Sequence, residues 1–397
     1  MKSDDVVIAS AVRSAIGTYG GQFKTLTAVP LGVPVMAEAV KRANIDPGLI
    51  GDIGWGCCYM RTKDEVNVGR VTAVKAGIPV TVPAFSIQRV CTSSMWGIAT
   101  GVLGIRQGCY SIFLAGGVES MSTVPYTLDE LRWGSRINNV ELRDAMWDGV
   151  TRVGIGPSMG MTAENLAEKY QISRKEQDEL AYQSHMKAVA AIKEGRFKEE
   201  ILPIEVKGPK GKSTIVDMDE HPRADTTIES LSKLKPVFKE GGTVTAGNAS
   251  GINDAASAVI IMRKSKADEL GVKPLARIVD FSLVGWDPDY MGWGPVPATE
   301  KIMAQTGLKL SEMGLIELHE AFAAQYLACE KGLGLTKRRE IINVNGSGVS
   351  LGHPVGATGA RLVITLLHEM RRRNVHYGLA TLCGGGGVAM AMIIELP

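Results

Sequence analysis

The sequence predicts an α/β fold built from two similar halves with a domain inserted into the first. Two short apolar segments, 6–11 (VVIASA) and 111–115 (SIFLA), are typical of buried strands, and they lie among helix-like patterns. Strands that alternate with helices favour a layered α/β architecture. We expect the second strand to end at Gly116. An internal similarity adds a third observation, because IFLAGGV at 112–118 resembles ATLCGGGGV at 380–388 and each segment follows a long predicted helix.

The middle of the chain has a more polar character. Ser173 and Glu176 form a capping-box pattern, which predicts a helix that runs to Glu194 with Gly195 as its stop. We expect three units: residues 1–120 with 251–276 as the first half, residues 121–250 as the inserted domain, and residues 277–397 as the second half.

The composition excludes several classes of protein. Apolar residues make up 45% of the chain and charged residues 22%, with a net charge of +2, so no basic excess points to nucleic acid or an anionic membrane. No secretory leader pattern precedes residue 6, and a glycine run at 384–387 interrupts the long apolar stretch near the end, which argues against a membrane span. We expect a cytoplasmic protein whose six cysteines are reduced, with no Cys-x-x-Cys pair and no bound metal.

Glycine is over-represented, with 46 residues. Many of them cluster in four segments, 241–251, 285–294, 346–359 and 384–387. Because glycine allows the backbone to approach another group closely, we expect these segments to surround a reaction site.

Cys91 is the first candidate for chemistry. An apolar, strand-like segment at 80–87 precedes it, and the charge-free segment 95–105 that follows is typical of a buried helix. At the N-terminus of such a helix, free N–H groups and the helix dipole favour a thiolate, which is the nucleophilic form. The alternative is a structural cysteine in the core.

His353 is the second candidate. It lies in the glycine-rich segment 346–361 and precedes Pro354, a residue that the first turn of a helix tolerates. We predict a helix over 360–373. A histidine on this turn suits a general base with a pKa near the working pH, and the alternative is a histidine that only caps the helix.

Cys383 and His319 complete the candidates. Cys383 ends a predicted strand before four glycines and is placed to relay protons to a substrate carbon, unless it only fills a tight turn. His319 begins the sequence HEAFA and is suited to donate a hydrogen bond to an oxyanion, unless it is structural. Two cysteines and two histidines in such segments predict acyl transfer through a thioester.

Longer motifs carry a resemblance to a known family. VIASAVRSAIG at 7–17, AGGVESMS at 115–122, VTAGNASGIND at 244–254 and GHP at 352–354 resemble the thiolases, and the similarity covers essentially the whole chain. This resemblance implies a five-layer αβαβα fold of two similar halves with an inserted loop domain. It also implies an acyltransferase of the acetyl-CoA acetyltransferase or 3-ketoacyl-CoA thiolase type.

The resemblance assigns a role to each candidate. It implies that Cys91 is acylated, that His353 activates it, and that Cys383 exchanges a proton with the α-carbon of an acyl-CoA. His353 and His319 would form one oxyanion hole, and the N–H groups of Cys91 and a glycine near Gly385 the other. The reaction would be the CoA-dependent cleavage of a β-ketoacyl-CoA.

Coenzyme A is implied as a co-substrate, with no permanently bound cofactor. Arg223 and Ser230 would contact its nucleotide end, although Arg223 could also be a solvated surface charge. The residues implied for the pantetheine tunnel are Met159, Phe238, Ala249, Ser250 and Phe322.

Two departures from the family pattern bear on the substrate. His319 stands where many thiolases have Asn, and Ser158 stands where biosynthetic members often have His. Both favour a degradative enzyme with a larger acyl group.

Two alternatives remain open. A decarboxylating ketoacyl synthase is disfavoured by Cys383 and by the inserted domain. A thiolase-like subunit that needs a partner protein is disfavoured, as a sole role, by the intact Cys91, His353 and Cys383. We expect a homodimer or homotetramer that acts on small acyl-CoA substrates, with membership of a larger acyl-CoA degradation complex as a further option.

Overall fold

The computed structural model describes residues 1–60, 63–151, 154–208 and 211–397. Its strands are β1 Val6–Ser14, β2 Gly17–Thr18, β3 Asp52–Gly56, β4 Phe85–Ile87, β5 Ile112–Ser120, β6 Tyr126–Thr127, β7 Arg143–Asp144, β8 Ile201–Leu202, β9 Ile204–Lys207, β10 Ser213–Val216, β11 Asn253–Arg263, β12 Ala276–Gly285, β13 Leu315–Leu318, β14 Tyr377–Gly384 and β15 Val388–Glu395. Its helices are α1 Ala28–Ala43, α2 Val68–Lys75, α3 Ser93–Arg106, α4 Ala145–Thr151, α5 Met159–Lys169, α6 Arg174–Lys193, α7 Ile228–Ser232, α8 Lys264–Glu269, α9 Pro295–Thr306, α10 Ala323–Gly332, α11 Gly348–Leu351 and α12 Val355–Arg373.

The main sheet repeats one strand pattern in its two halves. Its order is β13-β14-β15-β12-β1-β11-β5-β3-β4. The set β13-β14-β15-β12 matches β3-β5-β11-β1, because in each the first pair is parallel and the next two pairs are antiparallel. The sequence similarity between β5 and β14 therefore reflects a repeated unit, as predicted.

The helices form three layers around the two half-sheets. α1 packs on β1, β5 and β11, and α9 packs on β12 and β15. α3 and α12 pack on each other, and α12 also contacts β5 and β14, so this helix pair lies between the half-sheets. The predicted five-layer αβαβα fold is confirmed, and its central layer is a buried apolar core.

The chain between β5 and β11 supplies the polar inserted part. Ser173 caps α6 through the predicted capping box with Glu176, and the helix ends at Lys193, one residue before the predicted end. β11 then returns to the first half-sheet between β1 and β5. The three domain ranges stay a prediction.

Two glycine-rich segments were interpreted wrongly as turns. β5 continues through Gly116 and Gly117 to Ser120 instead of ending there, and α12 begins at Val355 instead of at 360. A Cβ at Gly117 would overlap the carbonyl oxygen of Gly356. These glycines let the strand and the central helix approach each other within regular structure, so their role is close packing. The strand predicted at 80–87 is also shorter, because only Phe85–Ile87 is a strand.

Candidate active site

The repeated unit places Cys91 and His353 at equivalent positions. Cys91 lies two residues before α3, and His353 lies two residues before α12. Because these two helices pack against each other in the central layer, their N-terminal ends bring the two side chains together. The Nε2 atom of His353 lies 3.1 Å from the Sγ atom of Cys91.

The backbone before Cys91 is strained. Val90 has a φ of +48°, an outlier for a β-branched residue. Its carbonyl oxygen accepts hydrogen bonds from the Ser93 hydroxyl at 2.7 Å and from the Cys58 thiol at 3.2 Å. Strain of this kind persists where surrounding contacts enforce it, and it is common at functional sites.

The contacts of Thr358 support one tautomer of His353. The Thr358 hydroxyl donates to the carbonyl oxygen of Pro354 at 2.9 Å and lies 2.7 Å from Nδ1 of His353. When its single proton is directed to Pro354, the hydroxyl accepts from an Nδ1–H group, and this is the tautomer we assign. The Nε2 atom then carries the lone pair that faces Cys91. The His353 backbone N–H also donates to Asn253 Oδ1 at 2.9 Å, which fixes the turn.

The protonation of this pair differs from the expectation. Burial lowers the pKa of His353 to about 3, with a further contribution from the charge of Arg361, so its pKa does not lie near the working pH. Burial also raises the pKa of Cys91 to about 11, although the N–H groups of Gly385 and of Cys91 itself oppose this. The position before α3 therefore does not make Cys91 a resting thiolate. The resting pair is a neutral thiol beside a neutral imidazole.

His319 and Cys383 lie beside this pair. The imidazole rings of His319 and His353 have their centroids 4.3 Å apart. His319 is fully buried, its pKa is well below the usual value because of burial, and neither ring nitrogen has a hydrogen-bond partner among the described residues. Cys383 lies in β14, one residue before its end, and burial raises its pKa.

Glu119 holds the wall of the site together, a role that no sequence pattern indicated. This buried carboxylate in β5 accepts hydrogen bonds from the backbone N–H groups of Cys58 at 3.0 Å, Tyr59 at 3.0 Å and Gly356 at 2.7 Å. It thus joins the loop after β3 to the first turn of α12. Glu119 and Asn253 both lie within motifs that resemble the thiolases, but nothing in the sequence indicated their contacts.

A cavity of about 710 Å³ lies beside this cluster, and His319 is not among the residues that line it. Cys91, His353 and Cys383 line it, as do all but one of the predicted CoA contacts, namely Met159, Arg223, Phe238, Ala249, Ser250 and Phe322. Ser230 is not among the lining residues; its hydroxyl donates to the carbonyl oxygen of Thr227 at the start of α7. Of the four glycine-rich segments, only Gly251 and Gly385 contribute glycines to the lining, so the expectation that most of these glycines wall the site was too broad.

Two features are absent from the described part of the chain. No helix there is both long and apolar enough to cross a membrane. Among the same described residues, no group of three or more His, Cys, Asp or Glu side chains is placed to hold a metal ion.

Comparisons with known proteins agree with this arrangement. Residues 6–265 match the thiolase N-terminal domain, and residues 272–396 match the thiolase C-terminal domain. The acetyl-CoA acetyltransferase of Syntrophomonas wolfei is 46% identical, with 98% of this chain and 99% of that protein covered. The beta-ketothiolase BktB of Cupriavidus necator is 45% identical at the same coverage.

Solved structures share the whole fold. The Bacillus anthracis acetyl-CoA acetyltransferase superposes with a TM-score of 0.96 at 48% identity, covering 99% of each chain. Human mitochondrial 3-ketoacyl-CoA thiolase in complex with CoA superposes with a TM-score of 0.95 at 40% identity, covering 100% of this chain and 98% of that one. The two halves and their matches define an acyl-transferring enzyme. The chain belongs to the thiolase family, whose reaction is thiolytic cleavage and the reverse condensation.

Proposed function

We propose that this enzyme cleaves a β-ketoacyl-CoA with free CoA, through an acyl group carried on Cys91. The observation that carries the proposal is the 3.1 Å contact between Nε2 of His353 and Sγ of Cys91 inside a cavity that Cys383 also lines. A nucleophile, a base and a second proton donor in one cavity are what the two halves of this reaction need.

In the first step, the Cys91 sulfur attacks the C3 carbonyl carbon of the substrate while its proton passes to Nε2 of His353. The neutral resting pair supports a transfer that accompanies the attack, since a buried thiolate and a buried imidazolium would each be costly before substrate binds. The C3 oxygen becomes negative in the tetrahedral intermediate. The protonated Nε2 of His353 and the unpartnered ring of His319 are the donors we assign to it.

In the second step, the C2–C3 bond breaks and its electron pair forms the enolate of the departing acetyl-CoA. The Cys383 thiol donates its proton to C2, and the thioester on Cys91 remains. The N–H groups of Cys91 and Gly385, which lower the pKa of the Cys91 thiol, are the donors we assign to the thioester oxygen. The thiol of a free CoA then gives its proton to the Cys383 thiolate and attacks that thioester. The bond between the acyl carbon and the Cys91 sulfur breaks, the sulfur takes back the proton held on Nε2 of His353, and the acyl-CoA is released.

Coenzyme A is the co-substrate in this proposal, and no permanently bound cofactor takes part. The human thiolase structure that contains CoA superposes on the whole chain, which supports the assignment. The apolar lining at Met159, Phe238 and Phe322 suits pantetheine, and Arg223 supplies a cation for a CoA phosphate.

We further propose a degradative direction and an acyl group larger than acetyl. His319 supports this proposal, and so does Ser158, whose hydroxyl caps α5 by accepting from the N–H of Met161 at 3.4 Å. Cytoplasmic location, assembly as a homodimer or homotetramer, and a place in a larger degradation complex stay predictions from the sequence.

The test is a panel of β-ketoacyl-CoAs incubated with CoA, with new acyl-CoA products followed by liquid chromatography and mass spectrometry. We expect each cleaved substrate to yield acetyl-CoA and an acyl-CoA two carbons shorter. Condensation that requires malonyl-CoA and releases CO2 would instead indicate the synthase alternative. No turnover by the purified chain, restored by an added partner protein, would indicate the subunit alternative.

A further inference from the structure

The cavity has two apolar walls that belong to different parts of the core. One wall, at Met159, Phe238 and Ala249, packs on the core cluster of the second half, which contains Phe322 and Cys383. The other wall belongs to a separate small cluster against which Cys91 packs. We call this second wall the acyl wall, and the residues that define it are Tyr59, Met121, Val150 and Val355.

The two thiols therefore lie on different walls. Cys383 belongs to the core cluster on which the predicted pantetheine residues pack, whereas Cys91 packs against the acyl wall and the core of the central layer. In the proposed reaction, the C2 fragment that carries CoA receives its proton from Cys383, while the C3 fragment stays on Cys91. The substituent on C3 must then extend from Cys91 along the acyl wall.

The chemistry of the acyl wall is apolar. None of its four defining residues carries a formal charge, and Met146 packs behind them. Trp147, in the same helix α4 as Val150, lines the cavity with 52% of its surface exposed. An apolar ligand that covers the part of this side chain facing the cavity would gain free energy from the burial.

The packing of Tyr59 against α4 depends on a single small residue. A Cβ at Gly149 would overlap the Tyr59 ring, and Gly149 itself lines the cavity. Tyr59 is 8% exposed, and the glycine lets its ring pack closely against α4. The acyl wall is thus already packed, and the cavity lies directly in front of it.

We propose that the acyl wall binds the acyl chain of the substrate, and that it selects uncharged apolar chains longer than acetyl, with Met121 and Val150 as specificity-determining residues. This inference rests on the proposed function, because it assumes that the C3 fragment is carried on Cys91. A chain that ends in a carboxylate would lose its hydration against the wall without a charged partner among the wall's defining residues.

The experiment compares kcat/KM for CoA-dependent cleavage of acetoacetyl-CoA, 3-ketohexanoyl-CoA, 3-ketooctanoyl-CoA and 3-ketoadipyl-CoA. Each buried methylene group should raise kcat/KM by about fourfold until the wall is covered. We expect 3-ketooctanoyl-CoA to exceed acetoacetyl-CoA by at least about tenfold, and 3-ketoadipyl-CoA to fall below 3-ketohexanoyl-CoA, which has the same number of carbons.

Two variants change the wall in opposite directions. Val150→Phe fills the cavity in front of it and should lower the ratio of 3-ketooctanoyl-CoA to acetoacetyl-CoA cleavage by about tenfold. Met121→Ala removes a side chain that is 2% exposed and should raise this ratio. If the Met121 variant does not fold, Val150→Phe still tests the proposal. Val150 is only partly buried, so we expect the fold to tolerate the larger side chain. The matched control is Trp133→Ala, an exposed aromatic residue outside the cavity, which should leave the ratio unchanged.

The outcomes separate this inference from the proposed function. Cleavage of acetoacetyl-CoA with no gain for longer chains would overturn the acyl wall and leave the thiolase reaction standing. A preference for 3-ketoadipyl-CoA, or a ratio that Val150→Phe does not change, would overturn it too. Cleavage of none of the four substrates would contradict the proposed function itself.

Discussion

The Nε2 atom of His353 and the Sγ atom of Cys91 lie 3.1 Å apart, at the N-terminal ends of two helices that occupy equivalent places in a repeated fold. The pair is neutral at rest, because burial raises the pKa of the thiol and lowers that of the imidazole. Internal repetition of α3 and α12 thus brings the proposed nucleophile and the proposed base together, although the two residues are far apart in the sequence.

Thr358 is the hydrogen-bond partner of Nδ1 of His353, and we assign the imidazole proton to that nitrogen. Thr358→Val keeps the shape of the side chain but removes the acceptor for the Nδ1–H group, so Nε2 no longer carries the lone pair by preference. We expect kcat to fall by roughly tenfold or more, since general base catalysis contributes about 10²–10⁴ in rate. Steady-state kinetics should show a much smaller change in KM.

Thr358→Ser is the matched control, since it restores the hydroxyl. It should recover most of the kcat lost in the valine variant. Equal losses in both variants would mean that the methyl group matters through packing, and that the hydrogen bond to His353 does not.

The raised pKa of Cys91 makes its alkylation strongly dependent on pH. Only the thiolate reacts with iodoacetamide, and a thiol with a pKa of about 11 gains thiolate roughly tenfold per pH unit below that value. The rate constant should therefore rise throughout about pH 6–10 in the substrate-free enzyme. We suggest a Cys109→Ser background, because Cys109 is the exposed cysteine. A plateau below about pH 8 would reveal a resting thiolate–imidazolium pair instead.

Cys383 should divide the reaction into its two halves. Cys383→Ala removes the thiol to which we assign the protonation of C2, while the contact between Cys91 and His353 remains. We expect steady-state cleavage to slow by about 10²-fold or more. Acylation of Cys91 from a simple acyl-CoA, which needs no proton at C2, should persist and be visible as added mass. Loss of both activities together would contradict this division of roles.

His185 makes stability depend on pH at a distance from the reacting atoms. Its Nδ1 atom accepts a hydrogen bond from the N–H of Arg223 at 3.2 Å, and burial lowers its pKa to about 4, with smaller contributions from His221 and Arg223. Below about pH 6.5 the unfolded chain binds a proton that the folded chain refuses until about pH 4. This imidazole therefore lowers the free energy of unfolding as pH falls through that window, by about 1.4 kcal/mol per pH unit.

The check is urea unfolding at about pH 7.5 and about pH 5.0. Between these two pH values, the free energy of unfolding of His185→Gln should decrease by about 2 kcal/mol less than that of the unchanged protein. His376→Gln is the control, at a histidine whose side chain is 60% exposed and lies 3.1 Å from the Glu395 carboxylate. Because this ion pair forms as pH falls, the variant's free energy of unfolding should decrease at least as much as that of the unchanged protein. An identical decrease in the His185 variant would show that this imidazole does not cause the pH dependence of the free energy of unfolding.

The layered fold was predictable from the sequence because apolar segments and helix patterns are local signals, and because β5 and β14 share a motif. Prediction failed where a glycine could indicate either a turn or close packing between two elements. Gly117 and Gly356 were interpreted as turn residues, whereas they lie within a strand and a helix that touch each other. Close packing between distant segments and a tight turn both require glycine, so the sequence alone does not distinguish them.

The candidate residues were found from local context, but their chemistry was not. The lowered pKa of His353 and the raised pKa of Cys91 arise from burial in the central layer, which no short motif reveals. The contacts of Glu119 and Thr358 have the same origin, because each depends on how α12 meets neighbouring segments.

The central claim is that the acyl group passes through Cys91, and trapping that intermediate tests it most directly. The enzyme is mixed with a β-ketoacyl-CoA without free CoA, quenched in acid, digested, and mapped by tandem mass spectrometry. We predict an acyl group on Cys91 that disappears when CoA is added before the quench, and no adduct in Cys91→Ser. An acyl group on Cys58 or Cys383 in place of Cys91, or product formation with no acyl-enzyme at all, would contradict the account.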